Sequence, residues 1–261
     1  MSPDPPAPTR HPELLPDDTI DFGVGLARLL RDAAVSPVPY DINCWTPAGT
    51  PAGPFRLEPV DPVGPEHGLA LLHHWMNDPS VAAFWKLAGP VEVTARHVRA
   101  QWEAGHSVPC FGVLDGVRMS YWEVYRADRD PLARYYRARP YDTGVHLLLG
   151  GPADRGRGLG SLLIRAVSDL VFDNDARCER VLAEPDVHNV PSVAAFLNAG
   201  FHFREELALP DKRAALMVRE RALRDTDSHG GGAGDGATGA GPAPRPGPPP
   251  SPPGPPRPDL P

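Results

Sequence analysis

The stretch VHLLLGGPADRGRGLGSLLIRAV, residues 145–167, passes from an apolar segment through a turn rich in glycine and arginine into a helical pattern. Starting at Leu159, apolar residues recur at i, i+3, i+4, i+7, i+8, i+11 and i+12, which predicts an amphipathic helix that packs one face on a sheet. Glycines let the backbone approach a ligand closely, and the free N–H groups of the first helical turn favour an anion such as a phosphate or pyrophosphate. The stretch therefore predicts a strand, an anion-binding loop and a helix in succession.

Two common nucleotide-binding motifs do not fit this loop. The P-loop motif needs a lysine after its last glycine, and none follows here. The dinucleotide motif GxGxxG needs another spacing, since the glycines fall at 156, 158 and 160. Arg155 and Arg157 add positive charge to the loop. A glycine-rich turn with solvated arginines and no ligand remains the alternative at this point.

The sequence on either side of the loop predicts a mixed α/β domain. A strand is predicted at the N-terminal side, followed by three helices and then a β-hairpin that turns at Asp115–Gly116. On the C-terminal side a strand, a helix and a closing hairpin around residues 210–212 are predicted. The predicted elements span residues 54–60, 66–79, 80–89, 91–105, 108–127, 145–149, 158–173, 178–185, 189–200 and 201–220.

Proline and glycine separate this domain from the two ends of the chain. Of the 261 residues, 35 are proline, and they concentrate near the termini. Residues 1–52 are predicted to be a Pro-rich extension, partly disordered, with one short helix in IDFGVGLARLL at 20–30. Residues 53–225 are the predicted domain, and residues 226–261 a disordered Gly/Pro-rich tail. The PxxP spacings of the tail fit an SH3-like partner, but we favour a plain linker.

Charge and cysteine content exclude several classes of protein. The net charge of −7 gives no general attraction to nucleic acid, and no apolar run is long enough for a membrane span. The N-terminus lacks the features of a signal peptide, so we expect a soluble, cytoplasmic protein. Cys44, Cys110 and Cys178 form no CxxC pair, and the pair His73–His74 has no partner at i+4, so no metal site is predicted.

Two motifs resemble the GCN5-related N-acetyltransferase (GNAT) superfamily. Its acyl-CoA pyrophosphate loop reads [QR]-x-x-G-x-[GA] between a strand and a helix, and a later helix reads N-x-x-[AS]-x-x-x-Y-x-x-x-G-F. The resemblance implies the GNAT fold, an α/β (α+β) architecture with a mixed, mostly antiparallel sheet flanked by helices, and acyl-CoA as co-substrate. The motifs stand here as Arg155-x-x-Gly158-x-Gly160 and Asn189-x-x-Ser192-x-x-x-Phe196-x-x-x-Gly200-Phe201.

A closer resemblance covers residues 54–222 and joins the chain to siderophore-biosynthesis acyltransferases, those of the aerobactin, alcaligin, desferrioxamine and mycobactin pathways. These enzymes acylate a hydroxylated side-chain or diamine nitrogen and so make the hydroxamate that binds iron. The resemblance implies acylation of an N-hydroxylated lysine, ornithine or diamine from acetyl-CoA, succinyl-CoA or a longer acyl-CoA. It rests on HHWMNDPSVAAFWKLAGP (73–90), YWEVYRADRDPLARYY (121–136), DTGVHLLLG (142–150), AEPDVHN (183–189) and LPDKRAALM (209–217).

His146 and Asp186 are the predicted catalytic residues. His146 lies on the strand before the anion loop, and its intrinsic pKa near neutrality suits a general base. Asp186 follows the next strand and would orient His146, bind the amine or act as the base itself. In the resembled family these positions match the active-site His and Asp. The alternatives are a core histidine and an aspartate that caps or turns the chain near Asn189.

Four further residues are predicted to line the acceptor pocket: Trp85, Tyr121, Glu123 and Lys212. Glu123 would hold the ammonium of the acceptor, and Lys212 would touch a carboxylate or the phosphates of the cofactor. Core aromatics and an exposed hairpin lysine are the alternatives. Phe196 stands where the superfamily often has a tyrosine that protonates the leaving thiolate, which leaves the general acid open. The residues assigned to acyl-CoA are Leu148, Arg155, Gly156, Arg157, Gly158, Leu159, Gly160 and Asn189.

The predicted function is therefore acyl-CoA-dependent N-acylation of a small hydroxylated amine. The same fold acting on unhydroxylated lysine, an aminoglycoside or a protein amine is the first alternative. A non-catalytic acyl-CoA-binding scaffold is the second. An acyl carrier protein or a siderophore synthetase is kept open as a partner, and neither the acyl length nor the oligomeric state follows from the sequence.

Overall fold

The computed structural model describes residues 41–60 and 68–224. Eight strands form one sheet in the order β1-β2-β3-β4-β5-β6-β8-β7. All neighbouring strands are antiparallel except β5 and β6, which run parallel. The strands are β1 Ala48–Thr50, β2 Gly53–Pro59, β3 Ser107–Leu114, β4 Val117–Arg126, β5 Thr143–Leu149, β6 Arg180–Ala183, β7 His202–Ala208 and β8 Arg213–Glu220.

In the described residues, five α-helices flank the sheet, and local signals fix where several of them begin. Helix α2 starts at Pro79 behind Asp78, whose side chain accepts a hydrogen bond from the Ser80 backbone N–H at 2.9 Å. Helix α5 starts behind Asn189, which caps it in the same way. The helices are α1 Leu69–Met76, α2 Pro79–Trp85, α3 Val91–Glu103, α4 Leu159–Asn174 and α5 Val190–Asn198.

The sheet separates two hydrophobic layers. One face carries the largest core, in which the apolar stripe of α4 packs with residues of α5 and of the strands. The other face packs against α1, α2 and α3, with Trp75, Phe111 and Tyr121 among its buried aromatics. Along each strand, successive residues point alternately into the two layers. Leu148 packs in the layer below the first three helices, and His146, two residues before it, therefore lies on the same side.

The predicted elements occur close to their predicted bounds, and the hairpin between β3 and β4 turns where the sequence places it. Asp115 and Gly116 have φ angles of 48° and 81°, the positive values that a tight two-residue hairpin turn requires. Strand β1 and a short 3-10 helix at Ile42–Cys44 were not predicted.

Residues 41–52, which the sequence assigns to the Pro-rich extension, add an edge strand to the sheet and bury Ile42 and Trp45 in its core. The helix predicted at 20–30 and the tail predicted at 226–261 lie outside the described residues. Within the described ranges, no helix has the length and apolar character that crossing a membrane requires.

Strands β5 and β6 separate soon after they meet. Their parallel ladder consists of the pairs Thr143↔Val181 and Gly144↔Leu182. Beyond Gly144, β5 stays paired with β4, while the chain after β6 follows β8 through a bridge between Asp186 and Ala214. The separation opens a wedge in the sheet, one edge of which is the second half of β5.

Gly144 is the last paired residue of β5 before the wedge, and replacing it with alanine tests the packing there. An added Cβ would lie 2.1 Å from Cζ of the Tyr125 ring, which is buried. We expect Gly144→Ala to lower the free energy of unfolding by about 1–3 kcal/mol, because the ring has to move. Urea denaturation measures this. Gly49→Ala is the control, since nothing lies within 4 Å of a Cβ there, and equal effects of the two substitutions would contradict the contact.

Candidate active site

A cavity of about 380 Å³ occupies the wedge between β5 and β6. This volume is within the range of small-molecule sites. Its walls come from β5, the segment after β6, the helices α2, α3 and α5, and the turn between β7 and β8. The polar and aromatic side chains that line it are those of Phe84, Trp85, His97, Gln101, Glu123, His146, Glu184, Asp186, Asn189, Ser192, Phe196, Asp211 and Lys212.

His146 lies at the centre of this cavity between two carboxylates. Its Nδ1 is 2.9 Å from Oε2 of Glu123, which stands directly opposite on β4. Its Nε2 contacts Oε1 of Glu184, the residue that follows β6, and lies 3.4 Å from the Tyr125 hydroxyl. Both glutamates are buried. Each nitrogen of the imidazole ring therefore faces an oxygen that only accepts hydrogen bonds when the carboxylates are ionised.

The charges of these three side chains stabilise one another. Burial by itself lowers the pKa of His146, but Glu184 and Glu123 outweigh burial and raise the pKa to about 10. Burial raises the pKa of Glu123, and its hydrogen bonds from His146 and His97 reverse that and lower the pKa to about 2. Glu184 behaves similarly, with His146 and Lys212 lowering its pKa to about 2 against the effect of burial. At neutral pH the site holds an imidazolium between two carboxylates.

Glu123 also has two further donors. Nε2 of His97 lies 2.5 Å from its Oε1, and the Tyr121 hydroxyl donates to the same oxygen at 3.0 Å. Tyr121 itself is fully buried beneath the cavity. The predicted role of Glu123 as a holder of the acceptor's ammonium has to compete with these three partners, and the geometry favours Glu123 as the residue that orients His146.

Glu184 lines the cavity and contacts His146, and, like His97, it was not among the predicted site residues. It accepts a hydrogen bond from the Tyr125 hydroxyl at 2.8 Å, and Nζ of Lys212 is 3.7 Å from its Oε1. The alternation of YWEVY on β4 puts Tyr121, Glu123 and Tyr125 on one face, which was a usable signal for part of this group. The approach of Glu184 depends on where β6 lies and has no local signal.

Asp186 lies in the same cavity but makes its hydrogen bonds locally. Its Oδ1 accepts from the backbone N–H of His188 at 2.8 Å and lies 2.8 Å from the ring Nδ1 of the same residue. The hydrogen bond from the His188 backbone lowers the pKa of Asp186, so it is ionised at neutral pH. Of the roles predicted for Asp186, orienting His146 falls instead to Glu123 and Glu184.

Aromatic and basic side chains complete the walls. The Trp85 ring stands edge-on to the His146 and Tyr121 rings, at centroid distances of 6.3 and 5.6 Å. Phe196 lines the cavity from α5 and packs against Phe201. Next to Trp85, Nζ of Lys86 donates to the backbone carbonyl of Asp211 at 3.0 Å, which ties α2 to the β7–β8 turn.

The predicted anion loop follows β5 directly and leads into α4. Gly156 and Gly158 have φ angles of 72° and 79°, and nothing lies within 4 Å of a Cβ added at either position. Gly158 caps α4 without a side chain, so no side chain covers the first N–H groups of that helix. Leu159 starts the helix, Gly160 lies in its first turn, and Asn189 caps α5 while lining the cavity.

The two arginines of the loop differ. The guanidinium of Arg155 donates to the carbonyls of Leu149 and Gly150 at 3.1 and 2.9 Å and to Oδ1 of Asp78 at 3.2 Å, and it also contacts Ser80. It therefore ties the end of β5 to the start of α2. Arg157 is exposed, and its guanidinium has no partner among the residues that the structure describes. Leu148, also assigned to the cofactor, is buried in the layer below α1.

In residues 41–60 and 68–224, no group of three or more His, Cys, Asp and Glu side chains is arranged to hold an ion.

Known proteins resemble this chain in sequence and in fold. It is 32% identical over 213 residues to the lysine N-acyltransferase MbtK of Mycolicibacterium paratuberculosis, covering 82% of this chain and 88% of that protein. It is 32% identical over 167 residues to the N(6)-hydroxylysine O-acetyltransferase of Escherichia coli, covering 64% of this chain and 51% of that protein. A crystal structure of an uncharacterized protein from Bacillus halodurans superposes with a TM-score of 0.65 at 28% identity, covering 74% of this chain and 95% of that one.

The predicted fold class, α/β (α+β) with a mostly antiparallel sheet flanked by helices, is confirmed by these matches and by the sheet itself. The resemblance to siderophore-biosynthesis acyltransferases is confirmed as well. The acetyltransferase (GNAT) domain matches residues 64–209, and the chain therefore belongs to the GNAT acetyltransferase family.

Proposed function

We propose that this protein transfers an acyl group from acyl-CoA to the N-hydroxylated amine of a lysine, ornithine or diamine in the biosynthesis of a hydroxamate siderophore. The observation that carries the proposal is the cavity in the wedge between β5 and β6, which is lined by ionisable side chains, together with the glycine-rich loop that follows β5 in the chain. The names of the relatives support a lysine or hydroxylysine as the acceptor, since they are a lysine N-acyltransferase and an N(6)-hydroxylysine O-acetyltransferase.

In this proposal the pyrophosphate of CoA binds at residues 156–160 and at the N-terminus of α4. The uncovered N–H groups and the open space at Gly156 and Gly158 suit such an anion. The pantetheine arm then runs along the edge of β5 beyond Gly144, where the ladder with β6 has ended and the amide groups of a ligand can pair with the backbone. This path brings the thioester to His146.

The acceptor in this proposal enters from the side of Trp85 and Lys212. A lysine amine has a pKa near 10.4 and is mostly protonated at neutral pH, whereas a hydroxylamine nitrogen is far less basic and arrives neutral. It can therefore attack the thioester carbonyl without first losing a proton. His146 and Asp186, which face the same cavity, are the proposed catalytic residues, and Asp186 has one carboxylate oxygen that makes no hydrogen bond among the described residues.

Two other functions stay as alternatives: the same transfer to an unhydroxylated amine, an aminoglycoside or a protein amine, and binding of acyl-CoA without catalysis. The charged groups at the centre of the cavity favour catalysis over the scaffold. CoA is favoured over an acyl carrier protein as donor because the loop offers a site for a pyrophosphate. An acyl carrier protein or siderophore synthetase would act as an additional partner.

The identity of the acceptor can be tested by the choice of amine. Thiol release from acetyl-CoA and succinyl-CoA is measured with N-hydroxycadaverine, N6-hydroxylysine, N5-hydroxyornithine and their parent amines, with products identified by mass. We expect kcat/KM to be at least about tenfold higher for the hydroxylated member of a pair, since only that nitrogen arrives neutral. Reactions without acceptor control for thioester hydrolysis. Equal or faster turnover of the parent amines would exclude the hydroxylated acceptor.

Substitutions of the two arginines of the loop are expected to affect different quantities, the KM for acyl-CoA and the free energy of unfolding. Arg157→Ala should raise the KM for acyl-CoA by about 3- to 30-fold and leave the free energy of unfolding within ~0.5 kcal/mol of the wild type, because Arg157 is exposed and unpartnered among the described residues. Arg155→Ala should lower the free energy of unfolding by about 1–2 kcal/mol, because it removes hydrogen bonds to Leu149, Gly150 and Asp78. Steady-state kinetics and urea denaturation measure the two quantities. An unchanged KM in Arg157→Ala would argue against the phosphate contact.

A further inference from the structure

We infer that His146 acts as the proton donor to the departing thiolate, held in its doubly protonated form by Glu123 and Glu184, which serve as positioning residues. The inference rests on the proposed function and reverses the role of general base that the sequence favoured for His146. It follows from the hydrogen-bond acceptors around the imidazole ring and from Phe196, which has no proton to give at the position where the superfamily often has a tyrosine.

The hydrogen bonding of the ring favours the doubly protonated form of His146. Nδ1 faces Oε2 of Glu123 at 2.9 Å, and Nε2 contacts Oε1 of Glu184. A neutral imidazole has one donor and one acceptor nitrogen, and its acceptor nitrogen would then point a lone pair at a carboxylate. With both carboxylates ionised, only the imidazolium satisfies both contacts. A general base needs a nitrogen free of its proton, which this arrangement disfavours.

The charges around the ring also favour the cation of His146. On β4, Glu123 and the Tyr125 hydroxyl face it, and behind β6 Glu184 does so. Lys212 approaches Glu184 from the β7–β8 turn, and His97 of α3 donates to Glu123. Asp186 and Asp211 line the cavity further along. The carboxylates of Glu123 and Glu184 are matched by the charges of His146 and Lys212.

The leaving group of the reaction is a thiolate, which leaves more readily when it is protonated. An alkyl thiolate has a conjugate acid of pKa near 8.5, so protonation of the sulfur helps the C–S bond to break. Phe196, on the α5 side of the cavity, has no proton to give. His146 exposes 35% of its side chain, lies on the strand along which the thioester is proposed to bind, and has a pKa raised to about 10. It is protonated when the thiolate forms.

The hydroxylamine nitrogen attacks the carbonyl carbon of the thioester, a C–N bond forms, and the nitrogen gives up a proton to the carboxylate of Asp186. The tetrahedral intermediate collapses, the C–S bond breaks, and its electron pair goes to sulfur while the Nε2 proton of His146 moves to it. The hydroxamate and the free thiol leave. Asp186 then releases its proton to solvent, and His146 takes one from solvent.

The protonation state of His146 is tested by NMR on the full-length protein labelled with 15N-histidine, titrated from about pH 6 to about pH 10. His146 is assigned by the signal lost in His146→Gln. We expect both ring nitrogens to be protonated at neutral pH. Glu184→Gln should lower the pKa of His146 by at least about one unit, because a carboxylate is lost. Glu205→Gln, an exposed glutamate on β7, is the matched control and should change nothing. A neutral His146 in the wild type at neutral pH overturns the inference.

The role in the reaction is tested by changing the leaving group. Acetyl-CoA is compared with S-(4-nitrophenyl) thioacetate, whose thiolate is stable without a proton. We expect His146→Gln to lower kcat by ~10²–10⁴ with acetyl-CoA and by less than about fivefold with the aryl thioester. In Glu184→Gln, where His146 remains, kcat with acetyl-CoA should decline at a lower pH than in the wild type, because the acid form is lost earlier as the pH rises.

The outcomes separate the two proposals. If the wild type acylates the hydroxylated acceptor but His146→Gln loses the same factor with both donors, the proposed function stands and the donor role is wrong. An unshifted pH profile in Glu184→Gln, with activity retained, also overturns the positioning role. If the wild type acylates no amine from either donor, the proposed function fails, and the donor role fails with it whatever the NMR titration gives.

Discussion

Strands β5 and β6 run parallel for two residue pairs and then part, and everything at the site depends on this separation. Each strand keeps its partner on the other side, β4 for β5 and β8 for β6, so the sheet stays intact while one edge of β5 loses its ladder. Unpaired backbone groups inside a protein are costly unless something else bonds to them, and an extended ligand with amide groups meets that need. The opening is part of the sheet and does not depend on loops.

Three ionisable groups at this opening make sense only together. Taking Glu123 or Glu184 out of water is unfavourable for either carboxylate alone, and the cation of His146 makes both tolerable. The arrangement spans β4, β5 and the end of β6, so it forms only when the sheet is assembled. The Tyr125 ring lies against Gly144, which belongs to the last pair of the parallel ladder, and its hydroxyl donates a hydrogen bond to Glu184. Tyr125 therefore connects the end of the ladder to the three ionisable side chains. Packing and electrostatics therefore meet at the point where the strands part.

Local signals made much of the fold predictable. The Asp115–Gly116 hairpin turn, the apolar spacing of α4 and the glycines before it depend on residues close in sequence, and they are where the sequence puts them. Strand β1 pairs with β2 across the turn at residues 51–52, but its three residues are too few to show a strand pattern. The wedge depends on pairing between distant segments, and so the sequence did not predict it. The same division runs through the site: the motifs predicted His146, Asp186 and Lys212 as site residues. Glu184 lies in the same motif as Asp186, but its contact with His146, like that of His97 with Glu123, depends on the tertiary structure. Arg155 shows that a motif residue can lie in the right loop while its side chain bonds to the protein itself.

Helix α2 joins the two sides of the cavity more directly than the sheet does. Its first turn is bound to Arg155 of the loop through Asp78 and Ser80, and just past its last residue Lys86 holds the β7–β8 turn at the carbonyl of Asp211. A seven-residue helix is only about 10 Å long, so both attachments act on one short rigid body. An engineer who recast the acceptor wall by exchanging this helix would also shift the end of β5 and the loop that follows it. The loop after β5 and the cavity wall at Trp85 are for this reason not separable modules in this protein.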